Sequence, residues 1–347
     1  MKGVVWKGAR AVVLAEDLER PELRDDGDAI VRVTRSAICG TDLHPYRGEI
    51  PGFLEGTVLG HEFVGVVEEV GPAVTGLRPG DRVVASDVVA CGRCWWCRRG
   101  WHYQCEQVTL FGYGEVVGPY LPGGQAEYVR SPFADVVLAP IPDGLSDEQA
   151  LFVGDILTTG FTAASEAGIR PGDVVAVVGC GPVGLFATMS ARYLGAAVVL
   201  AVDPDPARRA AAEAAGARPV APGDLAAALR DATAGRGADV VLEAVGSDAA
   251  LACAIEAVRA KGTVVAVGAH HSPAFPLHTG TAFGKELTLR WAVGDPISTR
   301  DQLLPILLAG RIDATSVITH RMPLDDAVAA YDRFDRREAT KVVLEVS

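Results

Sequence analysis

The hydrophobic rhythm of the chain changes near residue 150. Up to that point apolar residues gather in short, valine-rich runs, at 29–33, 63–70, 82–85 and 135–139, bounded by turns such as Arg78-Pro79-Gly80-Asp81. Short β-branched runs with such punctuation predict an all-β domain. Further on, fully apolar runs alternate with helix-length segments. A strand at 173–178 leads to a helix at 182–194, and a strand at 197–202 leads to a helix at 206–215, with Gly216 placed to cap it. Strands follow at 239–243, 263–267 and 287–292, with helical stretches at 225–233 and 248–259 among them. This alternation predicts a parallel sheet wound on both faces. The tail offers a helix at 301–308 and a strand at 341–345, and it is expected to rejoin the β domain.

Length and composition agree with two domains. The chain has 347 residues, against roughly 150 per domain. Hydrophobic residues make up 49% and charged residues 22%, which supports a large core and argues against disorder. The net charge of −12 repels phosphate backbones and removes nucleic acid as the default partner. No apolar run approaches the ~18 residues that span a bilayer, and the N-terminal apolar run ends at Glu16 and Asp17, too soon for a signal peptide. A cytoplasmic chain with no membrane partner is therefore expected. In such a compartment clustered cysteines are read as metal ligands before disulfides.

One turn points to a dinucleotide. Gly179-Cys180-Gly181-Pro182-Val183-Gly184 follows an apolar strand and opens a helix. The first glycine allows the tight turn, the second lets backbone approach a pyrophosphate, and the third permits close helix–strand packing. The helix start offers N–H groups and partial positive charge to the phosphates. Asp203 ends the next strand, where a carboxylate suits a ribose diol and repels a 2′-phosphate. That favours NAD, while Arg208 and Arg209 nearby keep NADP as the second reading.

Two sets of side chains point to metal. Cys91, Cys94, Cys97 and Cys105 supply four thiolates on one short lobe, the pattern of a closed structural zinc site; an iron–sulfur cluster is the competing reading. Trp95, Trp96 and Trp101 in that lobe are expected to be packing residues. Separately, Cys39-Gly40-Thr41-Asp42-Leu43-His44 follows one strand and Gly60-His61-Glu62 precedes another. A thiolate, an imidazole, a carboxylate and a hydroxyl in a domain attached to a nicotinamide fold point to a catalytic zinc with an open position.

These motifs, together with Gly172-Asp173 before the first strand of the second domain, resemble the zinc-dependent medium-chain alcohol dehydrogenase family along essentially the whole chain. The resemblance implies an α/β fold with a GroES-like β-barrel catalytic domain over residues 1–153, to which 292–347 return. It implies a Rossmann NAD-binding domain over 154–291. It makes Cys39 and His61 the first two catalytic zinc ligands and Asp155, where many relatives have cysteine, the third. Glu62 is the competing ligand, either behind the metal or joining it transiently during exchange. Thr41 would hydrogen-bond the reacting alcohol, and His44 would pass its proton to solvent, since imidazole takes and releases protons near neutral pH. Thr159 and Val183 match positions that contact the nicotinamide, and Val267, Gly268 and Ala269 would offer backbone groups to its carboxamide.

The expected activity is hydride transfer between an alcohol, either a polyol or a simple primary or secondary alcohol, and NAD. Two zinc ions per subunit are expected, one catalytic and one structural. Aldehyde dismutation or conjugate reduction at the same site, or a redox-inactive zinc module, are the alternatives. Family members are usually homodimers or homotetramers. The segment 45–57 mixes Tyr46, Arg47 and Glu49 with Ile50, Phe53 and Leu54 and is expected to border the substrate.

Overall fold

The computed structural model describes residues 1–346. It divides into two units, Met1–Thr158 with the chain from Asp295 onward, and Thr159–Gly294. No helix among the described residues is long and apolar enough to cross a membrane.

In Thr159–Gly294 six strands form one sheet in the order Arg218–Val220, Val198–Val202, Val174–Val178, Ala238–Glu243, Val258–Ala266 and Thr288–Trp291. Every neighbouring pair is parallel. All of Val174–Val178 is buried, as a strand covered on both faces must be. Helices Pro182–Tyr193, Pro206–Ala214, Leu225–Thr233 and Asp248–Ala257 link the strands. The order of the strands reverses between Val174–Val178 and Ala238–Glu243, the place where doubly wound sheets hold their ligands.

Two details differ from the sequence reading. Arg218–Val220 was not foreseen as a strand, because Pro219 masks it; proline is tolerated there since the strand lies at the sheet edge. The helix expected to reach 259 stops at Ala257, and the strand expected at 263 starts at Val258. Ala238 pairs with Val258 and Val240 with Thr263, so the residues between Val258 and Thr263 bulge out of the ladder.

In the other unit seven strands form the main sheet. Ala29–Ile38 is its spine, flanked by Glu62–Val70 and, antiparallel on the other side, by Val342–Glu345 from the tail. Phe63, Phe111 and Tyr331 are fully buried in its core. The strand expected over 135–139 is instead a helical turn, Ala134–Val137, followed by a short strand, Leu138–Pro140. The Asp135 carboxylate accepts N–H bonds from Thr75 and Gly76, which holds the segment curled. The tail helix runs over Pro296–Leu308, and a second helix, Ala327–Asp335, lies beyond the reach of the sequence reading.

Asp335 ties that helix to the N-terminal region, accepting from Arg10 at 2.6 Å and Arg47 at 2.7 Å. Burial alone would make this carboxyl less acidic, but Arg47 and Arg10 outweigh it and hold it below its ordinary range. A carboxylate more acidic in the folded chain stabilises the fold above its unfolded pKa, about 3.9, and that contribution is lost as pH falls through the folded value. Asp335→Asn should therefore cost about 1–2 kcal/mol at pH 7 and much less near pH 3. Urea unfolding of both proteins at the two pH values checks this; an equal cost at both would contradict it.

Candidate functional site

Cys39 and His61 meet because their strands are paired end to end. Ala37 lies opposite Glu62 across the ladder, so the residue after one strand falls beside the residue before the other. Asp155 arrives from the end of the 3₁₀ turn Phe152–Gly154. Position 154 must be glycine, since a Cβ there would stand 2.2 Å from the Ala85 carbonyl oxygen. The donor atoms of Cys39, His61 and Asp155 lie within 4.8 Å of one another. Cys39 Sγ is 3.2 Å from Asp155 Oδ2, and His61 Nε2 is 3.3 Å from the same oxygen. Zinc bonds of about 2.0–2.3 Å in a tetrahedral site put ligands roughly 3.3–3.7 Å apart, so the three donors fit such an ion.

The charges of the site agree. Burial pushes the Cys39 thiol up to about 12, with Asp155 and Glu62 adding to the push. Burial opposes ionisation of Asp155, but His61 and Lys341 outweigh it and bring it down to about 2. Burial likewise opposes a charged His61, yet Asp42, Asp155 and Cys39 hold it well above its ordinary value. Asp155 is thus ionised against a charged His61 with the Cys39 thiol neutral beside them, and the approach of a divalent cation would favour the thiolate and neutral imidazole that a metal needs.

Glu62 stands outside this set. Its carboxylate meets the ammonium of Lys341, and both residues are buried. Burial raises Glu62 to about 7, with Lys341 opposing and Asp155 reinforcing the rise. Lys341 also donates to the Ile38 carbonyl at 2.9 Å. Sequence reading missed Lys341, because only the pairing of the tail strand with Ala29–Ile38 brings it here. Thr41 precedes the short helix Leu43–Tyr46, and His44 within it holds Glu49 Oε2 at 2.6 Å through Nδ1.

The lobe cysteines also converge. Cys91, Cys94, Cys97 and Cys105 lie within 4.8 Å of one another. Cys94 Sγ is 3.5 Å from Cys97 Sγ and 4.0 Å from Cys105 Sγ, near the roughly 3.8 Å edge of a zinc–sulfur tetrahedron. Backbone N–H groups of Cys91 and Gln107 reach Cys105 Sγ at 3.3 Å. N–H groups of Cys97 and Glu106 bring Cys94 down to about 6, which favours the thiolate a metal needs. Trp95, Trp96 and Trp101 pack against each other, with centroids 4.8 to 6.1 Å apart, on an exposed face of the lobe.

In the parallel-sheet unit the glycine turn opens helix Pro182–Tyr193 with Gly181 as its cap. A Cβ at Gly184 would stand 1.8 Å from the Gly179 carbonyl oxygen, so the third glycine allows the packing expected of it. Asp203 is buried, and its carboxylate accepts N–H bonds from Cys180 and Asp205, both at 2.9 Å. It braces the glycine turn itself, a part the sequence did not reveal. Arg209 caps the Asp203 and Pro204 carbonyls. Val267 and Gly268 both donate their N–H to the Glu243 carbonyl, so carbonyls are what they offer a carboxamide. Buried Glu243 accepts from Val245 and Gly246 at 2.8 Å and pairs with His270 at 2.9 Å. Neither Glu243 nor His270 had a part in the sequence reading.

A β unit with a three-donor metal centre and a four-thiol lobe, continuous with a doubly wound nucleotide fold, defines a zinc-type dehydrogenase. Residues 25–143 match the alcohol dehydrogenase GroES-like domain, and residues 182–308 match the zinc-binding dehydrogenase domain. A probable zinc-binding alcohol dehydrogenase of Mycobacterium tuberculosis is 41% identical over 332 residues, 95% of this chain and 84% of that protein. The solved alcohol dehydrogenase TADH of Thermus sp. ATN1 is 43% identical with a TM-score of 0.96, each chain covered in full. The 2R,3R-butanediol dehydrogenase of Bacillus subtilis is 28% identical with a TM-score of 0.87, over 99% of each chain. The chain belongs to the zinc-dependent medium-chain alcohol dehydrogenase family, and it is an oxidoreductase acting on a small-molecule alcohol.

Proposed function

We propose that the chain transfers hydride between a neutral alcohol and NAD, and that it carries two zinc ions, one at Cys39, His61 and Asp155 and one at the four lobe cysteines. The carrying observation is the meeting of three unlike donors, two of them buried, at tetrahedral-edge distances. A zinc ion there would supply Lewis-acid polarisation of the substrate oxygen, and NAD, when bound, supplies the hydride acceptor.

The chain's own residues handle the proton and the orientation. Thr41 takes the hydrogen bond of the reacting hydroxyl. Glu49 accepts at His44 Nδ1, which makes Nε2 the basic nitrogen that receives the proton on its way to solvent. In the other unit, Gly179, Gly181 and Gly184 offer backbone to the pyrophosphate at the helix start that Pro182 opens, and Val183 contacts the nicotinamide. Asp203 and Arg208 flank the adenosine ribose, and Thr159, Val267, Gly268 and Ala269 hold the nicotinamide. Lys341 keeps Glu62 paired behind the metal.

The substrate is uncharged on this reading. Arg47 is held by Asp335 and Glu49 by His44, so these two of the charges in segment 45–57 serve the fold and the relay. Primary and secondary alcohols and small diols remain. NADH formation over a panel of such alcohols tests the activity; no NADH with any of them would contradict it.

Asp203 carries the choice of NAD. Asp203→Asn keeps an acceptor for the glycine turn but removes the charge facing a 2′-phosphate. The ratio of kcat/KM for NAD over NADP should fall by about tenfold, and an unchanged ratio would count against the assignment.

A cytoplasmic homodimer or homotetramer completes the proposal. The edge strand Thr288–Trp291, with Trp291 55% exposed and Phe283 of the preceding helix 86% exposed, suits pairing with a second copy.

A further inference from the structure

Three fully buried polar side chains lie beside the three-donor centre without belonging to it: Asp42, Gln125 and Tyr331. A chain of hydrogen bonds joins Tyr331 to Gln125 and Gln125 to Asp42, and Asp42 lies in ion-pair contact with His61. Asp42 Oδ1 lies 3.3 Å from His61 Nδ1. Asp42 Oδ2 accepts the Cys39 backbone N–H at 2.9 Å and Gln125 Nε2 at 3.3 Å. Gln125 Nε2 also donates to the Ala37 carbonyl at 3.2 Å, and Gln125 Oε1 accepts the Tyr331 hydroxyl at 2.8 Å.

Donor and acceptor chemistry gives this chain one direction. The Gln125 atom that faces both a carboxylate and a carbonyl must be the amide nitrogen, since only it donates twice. Its oxygen then faces Tyr331, so the tyrosine hydroxyl donates. A carboxylate already accepting from Cys39 and Gln125 can offer His61 only another acceptor. His61 therefore keeps a proton on Nδ1, which leaves Nε2, the nitrogen that faces Cys39 and Asp155, as the one that can give up its proton to a metal. Tyr331 is itself fixed, packed against Tyr46 with ring centroids 5.4 Å apart.

We infer that Gln125 and Tyr331 are positioning residues for the zinc at Cys39, His61 and Asp155. They hold the Asp42 carboxylate in place, and through it they set the tautomer and ring direction of His61. The inference rests on the zinc reading given above. Partners of this kind, outside the donor set, change metal affinity by about 10- to 100-fold when removed.

The test follows zinc release from the holoenzyme into a chromogenic chelator, alongside thermal unfolding. Wild type, Gln125→Leu and Tyr331→Phe are compared, and the lobe zinc serves as an internal reference. Release from the three-donor centre should speed up about 10- to 100-fold in Gln125→Leu and about threefold or more in Tyr331→Phe, with lobe release unchanged. Unchanged release overturns the inference. Equal acceleration at both centres with a lowered unfolding temperature also overturns it, because that is the mark of a purely structural role. If Gln125→Leu does not fold, Tyr331→Phe decides alone, since it removes a single oxygen. Wild type that holds only the lobe zinc would instead refute the zinc reading on which the inference stands.

Discussion

Replacing Cys39 with alanine should lower turnover by about a thousandfold or more while leaving NADH binding intact. Polarisation of the substrate oxygen by a metal is worth several kcal/mol, and each 1.36 kcal/mol is about tenfold in rate. The cysteine is one of the three protein donors that meet within 4.8 Å at this centre, and alanine cannot replace its charge or its sulfur. Zinc should fall from two ions per chain to one. The glycine turn and Asp203, proposed to bind the dinucleotide, belong to the other unit. Steady-state rates, metal content and NADH fluorescence titration read the three effects separately. Near-normal turnover, or loss of NADH binding together with turnover, would contradict the assignment.

The second large effect concerns the lobe. Cys97→Ser should release its zinc and open the lobe to trypsin while the three-donor centre keeps its metal. The apparent binding energy of such sites is on the order of 10 kcal/mol and is coupled to local folding. Cys97 is buried, and its Sγ lies 3.5 Å from Cys94 Sγ, so its replacement removes one of the four thiol ligands. Arg93, Arg98 and Arg99 lie in the lobe and supply the cleavage points. Mass spectrometry of the digest should show cuts there in the variant and none in wild type over the same time. A variant as resistant as wild type would mean that the lobe does not need metal to hold its shape.

Much of this was legible in the sequence, for identifiable reasons. The Leu225–Thr233 helix matches the reading, and the central strand Val174–Val178 differs by one residue, because periodicity and full burial write themselves into composition. The four lobe cysteines were legible because their ligands lie close together along the chain. That Asp155 would meet Cys39 and His61 was legible only through family resemblance, since nothing beside it in the sequence points to that meeting. Lys341, Gln125 and Tyr331 were hidden because strand pairing and a tail helix bring them to the site from far along the chain. The segment 135–139 misled because its apolar residues read as a strand, while the Asp135 side chain bonded the backbone of Thr75 and Gly76. Arg47 and Glu49, in a segment expected to border the substrate, are bound instead to Asp335 and His44.

Reversible removal of one metal ion is the most direct trial of the zinc-and-NAD assignment. A chelator should strip zinc from Cys39, His61 and Asp155 before the four-thiolate lobe. NADH production from an alcohol should fall in proportion to that first ion and return when zinc alone is added back. Full activity after the first ion has gone would show that hydride transfer in this chain does not depend on that centre.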